Sequence, residues 1–402
     1  MSRVRRRRSY TPLLVVLLPI VLIAGVWLGG HPTTLPGFVR DAFVGDSEGR
    51  LYDEALDIIA DNYYRPVDKD TLLDQGLDAG VKSLDDRFSA YFDPKAYKEF
   101  QEATDGAFEG VGMNVAEVDR GLRVLTVFDN SPAQRGGLRV GDVITAVDGR
   151  SLAGKTSEQA TTLIKGPAGS RVTLTVVHGK AEPRDIQLER AKVDVPVVES
   201  DMQESNGEKI GHVRLAGFTS GAHGEVRKAV DDLLGKGAQG LVLDLRNNGG
   251  GLLNEAVLVS SIFIDQGTIV STDGRTRPKR VFEATGDAID AKIPVVVLVN
   301  GESASASEIV TGALQDRHRA EVVGARTFGK GVFQEVRQLS NGGALDITVG
   351  EYYTPNGRNL GGGGVKQGAG IHPDVKAEDD AKTPQRDEGL EVAVKTVARE
   401  ST

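Results

Sequence analysis

A chain of 402 residues, 39 % apolar and 26 % charged, has material for two or three cored units and is neither disordered nor fibrous in composition. With no cysteine, disulfides, thiolate metal sites and a cysteine nucleophile are excluded together, so covalent catalysis has to use another side chain. The formal charge of -9 hides a cluster at Arg3, Arg5, Arg6, Arg7 and Arg8; the remainder is more acidic still, which argues against nucleic acid as the main partner.

In chain order, residues 1–10 form a basic tail. From Leu13 to Gly29 no residue is charged, and a helix over 11–30 would rise about 30 Å, the thickness of a bilayer core. The run is longer than a signal-peptide core and no A-x-A-like site follows Trp27, so it reads as an uncleaved transmembrane anchor rather than a cleaved signal. The arginines then predict a single-pass protein of the cell membrane with its N-terminus cytoplasmic and everything after the anchor outside. A linker over 31–46 carries Pro32, Pro36, Gly37 and Gly45.

Residues 47–105 predict a helical region, with apolar residues at helical spacing in Leu51, Ala55, Leu56, Ile58 and Ile59 and again in Leu72, Leu73, Leu77 and Val81. Over 106–190 short β-type runs at 122–127, 142–147 and 172–177 are broken by Gly and Asp and interrupted by one helical stretch at 157–164, the pattern of a small β-rich domain. From 191 to 376 strands and helices alternate. Strands are predicted at 210–215, 241–245 and 294–299, helices at 224–234, 252–263 and 305–314, and strands return at 332–339 and 344–353. This predicts an α/β core with function at the loops after strand ends. The tail over 377–402 is charged, and its short helical end with Leu390, Val392, Val394 and Val397 reads as a plain surface helix.

Ser303, Ser305 and Ser307 lie where a buried strand turns into a helix, so free N–H groups at the helix start can hold an oxyanion. One of the three is a helix cap, and spacing alone does not separate cap from nucleophile. None of His31, His178, His212, His223, His318 and His372 sits in a G-x-S-x-G or HExxH frame, and His318 among Asp316, Arg317 and Arg319 reads as a solvated residue. A lysine can serve as base instead if burial holds it neutral. Lys330, between Gly329 and Gly331, has suitable surroundings. Gly324 to Lys330 also fits G-x-x-x-x-G-K, but Gly331 replaces the Mg²⁺-binding hydroxyl and a strand follows in place of a helix, so nucleotide binding is rejected. The glycine run Gly249 to Gly251 follows a buried strand; it suits an anion hole and equally a tight turn. No metal or cofactor is expected.

The segments Asp244-Leu-Arg-Asn-Asn-Gly-Gly-Gly-Leu-Leu, Ser303-Ala-Ser-Ala-Ser-Glu-Ile, Thr327-Phe-Gly-Lys-Gly-Val-Phe-Gln and Gly370-Ile-His-Pro-Asp, in this order, resemble the carboxyl-terminal processing proteases, serine/lysine peptidases of S41 type with a PDZ domain. Leu84-Asp-Asp-Arg-Phe-Ser-Ala-Tyr-Phe and Phe108-Glu-Gly-Val-Gly-Met match as well. The resemblance implies a crotonase/ClpP-like α/β spiral core with an inserted PDZ domain, Ser305 as nucleophile, Lys330 as general base and Gln334 as the residue orienting the lysine. It further implies oxyanion donors at the N–H groups of Ala306 and Gly250, although some relatives carry proline at the Gly249 position. Gly110-Val-Gly-Met resembles a PDZ carboxylate-binding loop, in which the N–H groups of Val111, Gly112 and Met113 receive a peptide's terminal carboxylate, and Ser131-Pro-Ala-Gln-Arg-Gly-Gly-Leu resembles more of such a domain.

The function implied is a membrane-anchored serine endopeptidase that cleaves extracytoplasmic proteins near C-termini ending in nonpolar residues. Its implied partners are substrates with free C-termini and the membrane, with an adaptor protein or a homo-oligomer left open. Two alternatives stand beside it: a catalytically inactive PDZ scaffold, and a protease whose PDZ domain blocks the site until a partner binds.

Overall fold

The computed structural model describes residues 47–364, 367–379, 383 and 385–400. The chain divides into two units, one ending at Gly80 and one beginning at Val81. In the first, helix α1 (Ser47–Asn62) is followed by α2 (Lys69–Lys82). Asp68 caps α2 by accepting the Thr71 N–H, and Lys69 reaches Asp53 and Asp57 of α1 at 2.8 and 2.6 Å. These ion pairs are exposed and contribute little.

The anchor expected over 11–30 lies outside the described residues, and among the described residues no helix is long and apolar enough to cross a membrane. The longest, α1, has 16 residues and carries Asp53, Glu54 and Asp57, where a span needs about 20 mainly apolar residues. The reading is corrected accordingly. An α/β core with an inserted β-rich domain stands, whereas the transmembrane helix has no counterpart among the described residues and the single-pass placement drawn from it is not supported.

The second unit opens with a short strand, β1 (Ala90–Phe92), inside the region predicted as wholly helical, and then helix α3 (Pro94–Asp105), capped by Asp93 with Pro94 in its first turn. The β-rich domain runs through β2 (Ala107–Gly110), β3 (Met113–Val118), β4 (Gly121–Val127), the single turn α4 (Pro132–Arg135), β5 (Val143–Val147), β6 (Arg150–Ser151), α5 (Ser157–Ile164), β7 (Arg171–Val177), β8 (Arg184–Glu189) and β9 (Ala191–Asp194). Strands β3-β4-β5-β7-β8 form one antiparallel sheet with β6 on β5, and β2 pairs with β9. Alternate residues such as Leu122, Val124, Ile144, Val172 and Leu174 point inward and are buried, which is what period-two patterning dictates.

The α/β core begins with the hairpin β10 (Val198–Ser205) and β11 (Glu208–Leu215), turned by Asn206 and Gly207 at positive φ. It continues through α6 (Ala222–Gly235), β12 (Gly240–Asp244), α7 (Leu253–Ser261), the hairpin β13 (Thr268–Gly274) and β14 (Arg277–Glu283), β15 (Val295–Val299), α8 (Ala306–Asp316), β16 (Glu321–Gly324), β17 (Val332–Gln338), β18 (Ala344–Tyr353), β19 (Val375–Lys376) and α9 (Glu388–Glu400). One sheet has the order β10-β11-β12-β15-β16-β19, parallel from β11 onward; the other is antiparallel, β1-β18-β13-β14 with β17 on β18. Every residue of β12 and β15 is buried, as expected of strands covered on both faces.

Leu241, Leu243, Val295 and Val297 pack toward α6, α7 and α8, while Val242, Val296 and Leu298 pack against Ala393, Val394 and Val397 of α9. The C-terminal helix is therefore part of the core and not the surface helix expected. Its buried valines contribute about 1.5–3 kcal/mol each by area. The sequence hides this because five charged residues are interleaved with the narrow apolar stripe that docks.

Candidate active site

Strands β12 and β15 are parallel neighbours with Asp244 opposite Leu298, so the chain leaving each of them turns at the same sheet edge. Asn248, fully buried, stitches the two turns together. Its backbone carbonyl accepts from the Ala304 N–H at 3.1 Å and the Ser307 hydroxyl at 2.8 Å, and its side-chain amide donates to the Leu215 carbonyl at 2.8 Å.

The three serines are thereby separated. Ser303 gives its hydroxyl to the Leu245 carbonyl (2.8 Å) and accepts the Asn300 N–H, and Ser307 is spent on Asn248; both are fully buried. Only Ser305 lines the cleft of about 530 Å³ at this edge, which Lys330, Gln334 and Tyr352 also line. Ser305 occupies the cap position of α8 at φ 57°, ψ -114°, a conformation seldom held by a residue with a side chain. Gly250 packs against it so closely that a Cβ there would lie 2.8 Å from the Ser305 Cβ and 3.0 Å from the Ala306 nitrogen.

Glu308, fully buried in α8, accepts four hydrogen bonds: from the Ser305 N–H (3.0 Å), the Lys330 N–H (2.9 Å), the Gly329 N–H (2.7 Å) and the Thr327 hydroxyl (2.6 Å). One carboxylate thus holds the backbone of Ser305 and of Lys330. Lys330 stands just before β17, and its Nζ donates to Gln334 Oε1 at 2.7 Å and lies 5.0 Å from the Phe88 ring centre. The Tyr352 hydroxyl donates to the Lys330 carbonyl. Burial pushes the Lys330 ammonium below its usual range, against the opposing charges of Asp346, Asp86 and Glu308. Among the described residues the Ser305 and Lys330 side chains share no hydrogen bond; they share the cleft.

Ala306 stands at the first helical position of α8, where no intrahelical carbonyl reaches its N–H. Gly250 differs from expectation, because its N–H is given to Asn248 Oδ1 at 2.9 Å and is not turned freely into the cleft. In the β-rich domain Val111, Gly112 and Met113 line a groove of about 360 Å³ together with Ser157, Thr161, Ile164 and Lys165. The carbonyls of Val111 and Gly112 are held by the N–H groups of Ala133 (2.7 Å) and Phe128 (3.1 Å), which fixes the loop. Gly112 has φ +83°, and a Cβ there would meet the Ser131 Cβ at 2.3 Å. The chain after Gly331 enters strand β17, as argued against a phosphate loop, and His318 is exposed.

Glu308 and Asn248 carried no role in the sequence reading. The first has a readable signal, since Ser305-x-x-Glu308 has the spacing of a capping box. The second has none, because its bonds join turns remote in the chain.

The pattern of peptidase family S41 matches residues 209–377, and a PDZ-domain pattern matches residues 123–177. The chain is 36 % identical to the carboxy-terminal-processing protease of Bartonella bacilliformis over 384 residues, 93 % of this chain and 85 % of that one. It is 34 % identical to the carboxy-terminal processing protease CtpA of Bacillus subtilis over 351 residues, 87 % of this chain and 73 % of that one. Among solved structures it is similar to a photosystem II D1 C-terminal processing protease, with 32 % identity and a TM-score of 0.50 over 90 % of this chain and 94 % of that one.

Proposed function

We propose a Ser305–Lys330 mechanism for this chain, which belongs to the carboxy-terminal processing proteases, serine peptidases of family S41 with a PDZ domain. The observation that carries the assignment is the Glu308 carboxylate, bonded at once to the backbone of Ser305 and of Lys330 beside one cleft. A neutral Lys330 amine takes the Ser305 proton as the hydroxyl oxygen attacks a peptide carbonyl. The oxyanion of the tetrahedral intermediate is received by the Ala306 N–H and the glycine run. The ammonium then returns its proton to the leaving amine as the C–N bond breaks, leaving a Ser305 ester. Water, deprotonated by the lysine, hydrolyses that ester. Gln334 holds one amine hydrogen and so aims the lone pair.

The substrate proposed is a protein or peptide with a free, nonpolar C-terminus, held by strand addition in the groove of the β-rich domain with its carboxylate at Val111, Gly112 and Met113. Of the partners expected from sequence, the membrane, an adaptor and a homo-oligomer have no finding behind them and are set aside. Cleavage of such a peptide by the unmodified chain, beside Ser305→Ala and Lys330→Ala, tests the dyad. Activity surviving both changes refutes it, and peptide binding without any cleavage in the unmodified chain returns the inactive-scaffold reading.

A further inference from the structure

The cleft that holds Ser305 and Lys330 carries one charge that the dyad does not use. Among the described residues lining it, Asp346 is the only acid and Lys330 the only cation, while Phe218, Leu252, Leu253, Ile309 and Phe333 make an apolar wall. Asp346 stands opposite Val336 in the β17–β18 register, two residues along β18 from Thr348, which stands opposite Gln334. Alternate residues of a strand share a face, so Asp346, Thr348, Gln334 and Val336 project from the same side of the sheet. The bond from Gln334 Nε2 to Thr348 Oγ1 at 2.9 Å fits that register, and β18 is pinned there by the Thr348 N–H, given to Ser89 Oγ at 3.0 Å. Asp346 is thus one step along the cleft from the amide that holds Lys330 Nζ.

Nothing in the protein answers this carboxylate. Glu335, its neighbour on the opposite face of the sheet, is bridged to Arg277 and Arg337 at 2.7 Å each. Glu308 is met by four donors, and Asp86 by the Phe88 N–H and the Ser89 hydroxyl. The Asp346 side chain is half-buried and, among the described residues, has neither a hydrogen bond nor an ion pair. Burial pushes its carboxyl up, against the charge of Lys330.

In the empty cleft water hydrates the group at little cost. A peptide lying along the cleft displaces that water, and the dyad requires Lys330 to be neutral when Ser305 attacks. The filled cleft then holds a carboxylate without a partner of its own, which is costly unless the substrate brings one. A backbone N–H would serve any sequence equally. A cationic side chain does more, because the rest of the wall is uncharged and the field of Asp346 is unopposed there.

We propose that Asp346 is a specificity residue of the cleft, pairing with a lysine or arginine side chain that the substrate carries within a few residues of the scissile bond. This rests on the Ser305–Lys330 reading and deepens it: the groove at Val111, Gly112 and Met113 selects the end of the substrate, and Asp346 selects where along it the cut falls.

The test uses internally quenched peptides with a free nonpolar C-terminus, in which lysine, norleucine or glutamate is placed in turn at each of about four positions on either side of the scissile bond. Norleucine keeps the apolar stem of lysine and removes its charge. With the full chain, one position should favour lysine over norleucine by about tenfold or more in kcat/KM and disfavour glutamate by a similar factor. Asp346→Asn, nearly the same shape, should bring the lysine-to-norleucine ratio to within about twofold of unity, and Asp346→Lys should reverse the order of lysine and glutamate. A ratio taken within one variant cancels any general change in rate, in the titration of Lys330 or in stability, so a merely structural role of Asp346 leaves it unmoved.

A parent enzyme with no position that prefers lysine overturns the proposal, as does a preference that survives Asp346→Asn. A loss in Asp346→Asn that is equal for all three peptides assigns the carboxylate to the substrate backbone or to Lys330 and overturns it too. If Asp346→Lys does not fold, judged by its thermal melt, the asparagine ratio decides, and Asp346→Ser takes the place of an asparagine variant that melts too low to assay. Ser305→Ala and Lys330→Ala run in the same series. Activity surviving both sinks the dyad and this proposal together, whereas two inactive controls beside a parent indifferent to peptide charge sink this proposal alone.

Discussion

Glu308→Gln is the sharpest probe of how the two halves of the site are joined. Oε1 accepts from the Thr327 hydroxyl and the Gly329 N–H, and Oε2 from the Ser305 and Lys330 N–H groups. Whichever way a glutamine amide turns, two buried donors lose an acceptor and meet another donor. Two charge-assisted bonds correspond to about 3–6 kcal/mol gross. Removing a buried charge returns part of that, which leaves a net loss of about 2–4 kcal/mol. At about 2–4 °C per kcal/mol for a domain of this size, the melt should fall visibly by differential scanning calorimetry. The freed backbone also lets Ser305 and Lys330 drift, and a displacement near 1 Å costs about 10²-fold in rate. Peptide binding to the β-rich domain, followed by fluorescence anisotropy, should be unaltered because that groove lies on other elements. A variant with the parent's Tm and kcat/KM would refute the clamp.

Other expectations follow from the same geometry. As the proposed base Lys330 would act only when neutral, so the rate should be low below its burial-depressed pKa and climb as pH rises through it; a flat profile from about pH 5 to about pH 10 contradicts the assignment. Lys330→Arg should be inactive by peptide assay although it keeps the charge, because a guanidinium does not give up its proton. Gly112→Ala places a Cβ at 2.3 Å from Ser131 at a positive φ, and should weaken binding of C-terminal peptides about tenfold or more in an anisotropy titration. Amidating the C-terminus of the peptide should have a comparable effect on the parent protein.

The carboxyl of Asp244 is pushed up by burial but held down to about 2 by hydrogen bonds from His212 and Arg246 and by the Arg246 charge. Its folded pKa lies below the unfolded value, so its contribution of about 2 kcal/mol is present above about pH 4 and is lost as pH falls toward 2. Acid unfolding followed by circular dichroism should lose this step in Asp244→Asn; an identical acid limb would refute it.

The buried strands at β12 and β15 and the helices after them were legible because an unbroken apolar run followed by Gly or Ser allows few other structures. The alternation in β4 and β7 was equally plain. Strand β1 was not, since three residues carry no periodicity and Ala90–Phe92 becomes a strand only because β18 offers it an edge. The hairpin β13–β14 was missed where apolar and charged residues mix without a clean period, as in Arg277–Glu283. At the site, residue types and position led to the three serines and to Lys330, and the resemblance chose Ser305 among them. The contact of Thr348 with Ser89 was beyond reach because it spans more than 200 positions, and the hydrogen-bonding of Gly250 depends on the side chain of a neighbour, Asn248. The anchor reading rested on composition alone and finds no counterpart among the described helices.

Asn248 has a consequence for when the enzyme becomes dangerous to its surroundings. Its side chain reaches the end of β11, its carbonyl takes the turn after β15, and it follows β12 itself, so a single residue samples the alignment of three successive strands. A slip of any one strand by a residue would turn its side chains to the opposite face and leave this amide without its partners. The strained turn that presents Ser305 can therefore be held only after the sheet has formed in its one correct alignment. A nascent or misassembled chain carries the proposed nucleophile in its sequence without yet being a protease.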